Sequence, residues 1–188
     1  MHERPPRLNY RDYAEWQHVR LQSGALVPSL QYWAQQLSTG GDIPVLELPF
    51  DHPPTPQVTA GERRGDVVVF RSDATSYRTF AALCASQGSS LFIGLLAVYH
   101  TLLSRLSQCE DIVIGAPVSC RPDGLQGVMG FFVNTLPLRL QSREDGDVRG
   151  FLAYVRDVVV DGFSHMEIPL QKMLEHVTTS LDLPPSSA

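Results

Sequence analysis

At 188 residues the chain is long enough to bury one sizeable core, and its 43% hydrophobic and 19% charged residues are typical of a soluble globular protein. A formal net charge of −5 and the absence of a basic run argue against nucleic acid as a partner. Three widely spaced cysteines, no signal-peptide core and no apolar run of membrane-spanning length predict a cytoplasmic protein without a membrane segment, a disulfide framework or a metal site.

Two helices are predicted at the start of the chain. Asn9 can cap a helix over residues 10–22, because an Asn side chain accepts hydrogen bonds from the free N–H groups of a first turn. Gly24 is placed to end this helix. A second helix follows Pro28 and stops at the Gly40–Gly41 pair.

The next part of the chain is predicted to be extended and then helical. Segment 43–65 contains five prolines, which predicts an extended, semi-rigid segment lying along a surface. Residues 66–71, DVVVFR, are predicted to form a strand. An amphipathic helix ended by Gly88 follows, and its predicted inward face is Tyr77, Phe80, Ala81 and Cys84.

The second half begins with the most apolar helix of the chain. Residues 91–106 are apolar nearly all round and follow a Ser89–Ser90 cap, so this helix is predicted to be central. A buried strand is predicted over residues 111–118 and a second strand over 130–140, with a glycine-containing loop between them.

Two further helices complete the pattern. Residues 147–163 predict a helix with one apolar stripe, formed by Val148, Phe151, Leu152, Val155, Val159 and Phe163. Another helix begins at Pro169, and the tail 178–188 is predicted to be disordered. The resulting element order predicts an α/β fold with a small sheet packed against helices.

One residue in the strand 130–140 does not fit an apolar face. With a period of two, Asn134 shares a face with Phe132, Leu136, Leu138 and Leu140. An unpaired buried amide costs on the order of 1–3 kcal/mol, so Asn134 is predicted either to have a fixed partner or to border a cavity.

The chain carries no self-contained catalytic set. Phosphate-binding glycine loops, the GxSxG motif and the HExxH motif are all absent, and none of the six histidines has a partner at metal-ligand spacing. His100 is predicted to be a satisfied core or rim residue, and Cys120 a structural thiol, since nothing local lowers its pKa. Ser164 and His165 are adjacent and cannot point at each other as nucleophile and base.

Ordered motifs carry a resemblance to a known family. They are YRDYAEWQ (10–17), YW (32–33), LELPFDHPP (46–54), DIVIGAPVSCR (111–121), VMGFFVNTLPLR (128–139) and HMEIPLQKML (165–174). In this order and at this spacing they resemble the C-terminal half of the condensation domains of nonribosomal peptide synthetases, over residues 8–177. Two motifs depart from the family pattern, at Cys120 in place of an Asn and at residues 166–171 in place of Gln-Asp-x-Pro-Phe-Glu.

The resemblance implies a fold and an activity. It implies a lobe similar to chloramphenicol acetyltransferase, with a small mixed sheet, occupying residues 1–177 and incomplete at both ends of the full condensation domain. Such domains join a carrier-bound acyl or peptidyl thioester to a carrier-bound aminoacyl amine. The family's His-His-x-x-x-Asp-Gly motif belongs to the N-terminal lobe and is absent here, so this chain alone is predicted to be inactive.

The resemblance also implies partners and residue roles. The expected partners are the N-terminal lobe and the donor and acceptor carrier proteins, whose phosphopantetheine arms enter a tunnel; no cofactor is expected on this chain itself. Phe132, Asn134 and Thr135 are expected to line the tunnel, with pinning of a neighbouring loop as the alternative for Asn134. Structural roles are expected for Tyr13, Trp16, Arg121, His165 and Pro169, with Arg121 held by a carboxylate.

Two other functions remain open at this point. The chain could be a non-catalytic lobe that binds carrier proteins. It could also be a stand-alone acyltransferase that acts as an oligomer and uses His100 or His165.

Overall fold

The computed structural model describes residues 8–39, 41–51, 66–142 and 147–180, with side chains up to residue 177. Within these residues the elements are α1 (Tyr10–Gln22), α2 (Val27–Ser38), α3 (Ala74–Ser86), α4 (Leu91–Ser107), β1 (Asp111–Ser119), β2 (Val133–Gln141), α5 (Val148–Ser164) and α6 (Leu170–Ser180). This is a mixed α/β fold, as predicted.

The described residues fall into two compact units. One contains α1, α2, most of β1 and β2, the end of α5, and α6; the other contains α3, α4 and the start of α5. The predicted mixed sheet is, in the described part of the chain, a single pair of strands. Hydrogen bonds from the N–H of Cys120 to the carbonyl of Phe132 (2.7 Å) and from Ser142 to Glu110 (2.8 Å) show that the pair is antiparallel.

The two N-terminal helices confirm the predictions. Asn9 Oδ1 accepts from the backbone N–H groups of Arg11 and Asp12, and the Asp12 carboxylate accepts from the N–H of Asn9, which completes a capping box. Gly24 follows α1 with a φ of +75°, a conformation that glycine adopts without strain. Helix α2 ends at Ser38, just before the predicted stop.

Helix α2 packs against α6 in the first unit. Its side chains Trp33 and Leu37 are almost fully buried. The buried Arg139 of β2 donates to the carbonyls of Leu37 and Asp42, so it satisfies backbone acceptors at and after the end of α2.

The strand predicted over residues 66–71 is absent. Its backbone is irregular, and the side chains from Val67 to Phe70 are each at least 77% exposed. The sequence has strand character, but a strand forms only where a neighbouring strand pairs with its N–H and C=O groups. Within the described residues, β1 and β2 pair only with each other.

Helices α3 and α4 correct two further predictions. Asp73 caps α3, which begins at Ala74, two residues before the predicted start at Ser76, and Tyr77 lies exposed rather than on the inward face. Ser90 caps α4 as predicted. However, α4 is not central, because Phe92, Leu95, Val98, Tyr99, Leu102 and Leu106 are exposed on the face opposite the buried residues.

The strands and the last two helices follow the predicted pattern with shifted ends. In β1, Ile112, Ala116 and Val118 are buried but the intervening Gly115 and Pro117 are exposed, so the strand is buried on one face only. In α5, Leu152, Val155 and Val159 are buried, whereas Val148 and Phe163 at the two ends of the predicted stripe are exposed.

Helix α6 begins directly after Pro169 and runs to Ser180, past the predicted start of the tail. Residues 181–188 lie outside the described part of the chain. Segment 43–51 has no regular structure, with Leu46 and Leu48 half-buried and their neighbours exposed, and the remainder of the proline-rich segment, 52–65, also lies outside the described residues.

The length and hydropathy of the helices show whether any of them could cross a membrane. In the described residues no single helix is long and apolar enough to cross a membrane. Helices α3 and α4 meet the length and composition criteria only as a pair, with a bend of 105° between them.

Candidate functional site

The side-chain amide of Asn134 joins the start of β2 to the segment before α6. Its Nδ2 donates to the carbonyls of Met166 (2.9 Å) and Ile168 (2.6 Å), and its Oδ1 accepts from the N–H groups of Thr135 (2.9 Å) and Leu170 (3.1 Å). Both amide protons and the amide oxygen are therefore engaged. This explains how a polar side chain is tolerated on an apolar strand face: the amide pins segment 166–170.

Asn134 also borders a cavity of about 190 Å³ in the first unit. The lining residues come from α1, from both ends of the 120–132 loop, from the start of β2 and from segment 167–169: Tyr10, Tyr13, Gln17, Cys120, Phe131, Phe132, Val133, Asn134, Glu167 and Pro169. Pinning of a neighbouring loop and a position beside a cavity are therefore both possible for Asn134. Its hydrogen bonds anchor a loop, while the edge of the side chain faces a cavity.

Phe132 is the centre of an aromatic cluster under that cavity. It is 4% exposed, its ring centroid lies 4.8 Å from that of Tyr13, and it meets Tyr10 edge to face at 5.1 Å. The hydroxyl of Tyr10 donates to the carbonyl of Phe131 at 2.9 Å. These contacts hold α1 against the segment that leads into β2.

Arg121 fixes the loop after β1 through backbone carbonyls, and no carboxylate of the described residues pairs with it as was expected. Its Nη1 donates to the carbonyls of Leu125 (2.8 Å) and Val128 (2.5 Å), and its guanidinium lies 4.0 Å from the ring centroid of Phe132. A guanidinium group is planar and has several donors, so it can donate to two loop carbonyls and also stack on an aromatic ring. The loop is therefore tied to the aromatic cluster by one side chain.

His165 connects the segment before α6 to α2. Its Nδ1 shares a hydrogen bond with the hydroxyl of Ser29 (3.0 Å), its ring stacks on Tyr32 at 4.1 Å, and its carbonyl accepts from the indole N–H of Trp33 (2.9 Å). Burial, with a smaller contribution from the Asp161 charge, raises the pKa of Tyr32 to about 12. The imidazole is thus held in a packed polar contact between α2 and the segment before α6.

The other predicted structural residues differ in burial. Tyr13 is buried, whereas Trp16 is 44% exposed and contacts Tyr13 and the guanidinium of Arg20. The carbonyl of Pro169 accepts from the backbone N–H of Lys172 and Met173 and so starts α6. Thr135, expected on the tunnel wall, is half-buried.

A second cavity of about 280 Å³ shares Tyr13, Gln17, Cys120 and Glu167 with the first. An ion pair between Arg20 and Glu167 (2.7 Å) joins α1 to the segment before α6 at this cavity. Burial, and secondly the negative charge of Glu167, raise the pKa of the Cys120 thiol, which donates to the carbonyl of Met166. A raised thiol pKa makes Cys120 a poor nucleophile at neutral pH.

His100 does not face either cavity. It is fully buried in the second unit, and its Nε2 donates to the carbonyl of Leu140 at 3.1 Å. Burial lowers the pKa of His100. A histidine without solvent access cannot act as the general base of a stand-alone acyltransferase, so that alternative loses one of its two candidates.

Sequence reasoning missed several residues of this site. Arg139 and Glu167 carry long-range contacts that local patterns do not show. Tyr10 and Gln17 could have been found, because they lie three residues before and four residues after Tyr13 on the same face of α1. Among the described residues, no three His, Cys, Asp or Glu side chains are grouped to hold a metal ion.

Comparison with known proteins gives a consistent family match. The profile of the family described as "Condensation domain" matches residues 2–183. The chain is 35% identical over 179 residues to tyrocidine synthase 3 of Brevibacillus parabrevis, covering 94% of this chain and 3% of that protein. It is 31% identical over 181 residues to bacitracin synthase 1 of Bacillus licheniformis, covering 96% of this chain and 3% of that protein.

The same similarity is found among solved structures. The complex of the X-domain and OxyB from teicoplanin biosynthesis matches with a TM-score of 0.82 and 26% identity, covering 98% of this chain and 40% of that one. This chain therefore spans less than half of the similar solved chain and only a small share of the two synthases.

Proposed function

This chain belongs to the condensation domain family, and we propose that it is the C-terminal lobe of an amide-forming condensation domain in a nonribosomal peptide synthetase. In the proposed reaction an aminoacyl amine on one carrier protein attacks the acyl or peptidyl thioester on another. The C–N bond forms, the C–S bond breaks, and the proton lost from the amine ends on the released thiol.

The observation that carries this proposal is the family match over residues 2–183 in a chain that has no adjacent histidine pair. The chain then contributes surface rather than a general base, and a segment with the His-His-x-x-x-Asp-Gly motif supplies the base. The chain binds no cofactor of its own in this proposal, because the phosphopantetheine arms belong to the carrier proteins.

The anchored strand start gives this proposal a structural basis. Asn134 fixes segment 166–170 through three hydrogen bonds, and the cavity beside it is lined by Phe132. A wall that positions two reactants must be rigid, since misplacement of reacting groups is costly to the rate. We assign the wall to Phe132, Asn134 and Thr135, and its support to Tyr13, Arg121 and His165.

The test is a reconstitution with loaded carrier proteins. We expect mass spectrometry to detect the amide product on the acceptor arm when this chain is combined with a polypeptide that carries the histidine motif. Replacing the second histidine of that motif by alanine is the matched control and should abolish the product. Product formed by this chain alone would contradict the proposal.

A second candidate is a lobe that binds proteins without catalysis. It is favoured by the similarity to the X-domain, whose solved structure is a complex with OxyB. In the same experiment, carrier binding without product in any combination would support this candidate over the first.

A further inference from the structure

One backbone carbonyl before α6 accepts hydrogen bonds from two side chains at the same end of the strand pair. The carbonyl of Met166 accepts from Nδ2 of Asn134 at 2.9 Å and from the thiol of Cys120 at 3.3 Å. A carbonyl oxygen has two lone pairs, so it can hold both donors at once. Cys120 and Asn134 are therefore linked through an acceptor that they share.

The pairing of β1 and β2 places the two donors on the same face of the sheet. The backbone N–H of Cys120 donates to the carbonyl of Phe132 at 2.7 Å, so these two residues lie opposite each other. Residues two apart along a strand share a face, which makes Asn134 a diagonal neighbour of Cys120. Both side chains also line the cavity of about 190 Å³.

We propose that Cys120 is a positioning residue for the wall assigned to Asn134 and that it acts through the Met166 carbonyl. This inference rests on the proposed function, because the wall belongs to that proposal. The thiol fixes the carbonyl from the β1 side, and the fixed carbonyl then holds the amide of Asn134 in one orientation. Without the thiol the carbonyl can turn, and the amide that donates to it turns as well.

The surroundings of the thiol support its role as a donor. Burial, and secondly the charge of Glu167, raise the pKa of Cys120, so the thiol keeps at neutral pH the proton that it donates. The residues on either side of Met166 are tied to α1 and α2. The contacts of Cys120 and Asn134 add a connection to the strand pair, which the helix contacts do not provide.

Nitrogen–proton correlation spectra of the full chain test the placement of the amide. The Nδ2 protons of Asn134 are assigned as the pair of resonances that is lost in Asn134→Ala. We expect Cys120→Ala to shift these resonances and Cys120→Ser to return them toward the parent positions, because a hydroxyl can donate to the same carbonyl. Circular dichroism checks that each variant remains folded.

Cys109→Ala is the matched control for these spectra. The Cys109 thiol also donates to a backbone carbonyl, that of Asp111 at 3.1 Å, but it lies at the other end of β1. We therefore expect the Asn134 resonances to stay at the parent positions in this variant. Amide resonances that do not move in Cys120→Ala, or that Cys120→Ser does not restore, would overturn the proposal.

The rate of amide formation tests the consequence of this placement. In the reconstitution with loaded carrier proteins, we expect Cys120→Ala to lower kcat about fivefold with little change in KM for the acceptor carrier, because misplacing a reactant by about 1 Å can cost on the order of 10²-fold in rate. Cys120→Ser should recover most of this loss, and Cys109→Ala should keep the parent rate.

A double-mutant cycle shows whether Cys120 acts through Asn134. In an Asn134→Ala chain the amide is gone, so Cys120→Ala should cause no further loss of rate. Equal losses in both backgrounds would overturn the proposal. The spectra do not depend on amide formation, so a reconstitution without product contradicts the proposed function, while the Asn134 resonances still decide the role of Cys120.

Discussion

Asn134 illustrates how one side chain can join segments that are distant in the chain. Replacing it by alanine removes the partner of the Ile168 carbonyl and of the Leu170 N–H, and leaves the Met166 carbonyl with only the Cys120 thiol. We expect Asn134→Ala to lower the free energy of unfolding by about 2 kcal/mol, because partly buried polar groups then lack hydrogen bonds. Urea unfolding followed by circular dichroism measures this loss.

Two further variants test whether the loss of stability comes from the hydrogen bonds that Asn134 makes. Asn134→Asp keeps the acceptor oxygens but replaces the two donated hydrogen bonds with repulsion from the same carbonyls, so we expect a loss at least as large as for alanine. Gln31→Ala, on the exposed side of α2, is the control and should be neutral. An Asn134→Ala chain as stable as the parent would show that segment 166–170 does not depend on this amide.

The sequence indicated that Asn134 needed a partner but not which partner. Period-two alternation placed the amide among leucines, and the cost of burying it predicted a fixed contact or a cavity border. The partner segment lies more than thirty residues later, and no local pattern links it to β2. The two contacts of Arg121 were missed for a related reason, since backbone carbonyls carry no signature in the amino-acid sequence.

At the scale of elements, the contact between α3 and α4 depends on Gly94. A Cβ at this position would lie 2.3 Å from the Sγ of Cys84 and 3.0 Å from the ring of Phe80. We expect Gly94→Ala to lower the free energy of unfolding by about 1–3 kcal/mol, because an added methyl forces a packed helix pair apart. Thermal and urea unfolding measure the loss.

A double variant tests the cause of that loss. Cys84→Ala removes the sulfur atom that the new methyl would meet, so Gly94→Ala should cost less in a Cys84→Ala background than alone. Gly127→Ala is the control, since no atom lies within 4 Å of its added Cβ. Equal costs of Gly94→Ala in both backgrounds would show that the sulfur contact is not the reason.

Helices were predicted better than strands for a physical reason. Helix signals are local: Asn9, Pro28 and Ser90 mark starts that the structure confirms, because caps and prolines act on neighbouring N–H groups. A strand depends on a partner elsewhere in the chain. Residues 66–71 have valines in series and still form no strand in the described structure, since local preference does not supply the pairing.

The sequence also did not predict which faces of a helix are buried. Apolar residues all round α4 predicted a central helix, yet one face is exposed. The pattern of apolar residues shows which helix faces can be buried. The arrangement of the other elements decides which of these faces are buried in the fold. The two disagree along α4, where apolar residues from Phe92 to Leu106 are exposed in the described structure.

At the scale of the whole molecule, the buried His100 makes stability depend on pH. Its Nε2 donates to the carbonyl of Leu140, and the whole imidazole is buried. Burial lowers the pKa of His100 below its ordinary value of 6.5, although the backbone groups of Leu140 and Glu110 and the charge of Asp111 oppose this shift. The unfolded chain therefore binds a proton at His100 more readily than the folded chain does.

The direction of the pH effect follows from this difference. Above pH 6.5 both states hold a neutral imidazole and the folded state has its full stability; below pH 6.5 the unfolded state gains the proton first, so the free energy of unfolding falls as the pH falls. We expect urea midpoints at pH 7.5, 6.5 and 5.5 to decrease in that order. Protein concentration is held constant, because any association of chains would add its own contribution to stability.

The variant His100→Gln assigns the effect to this residue. A glutamine amide can donate to Leu140 in place of Nε2 and does not titrate, so we expect a shallower decrease in stability between pH 6.5 and 5.5. His18→Gln, on the exposed side of α1, is the matched control and should keep the parent's pH dependence. If His100→Gln and the parent lose stability in parallel, the acid sensitivity of the fold comes from groups other than His100.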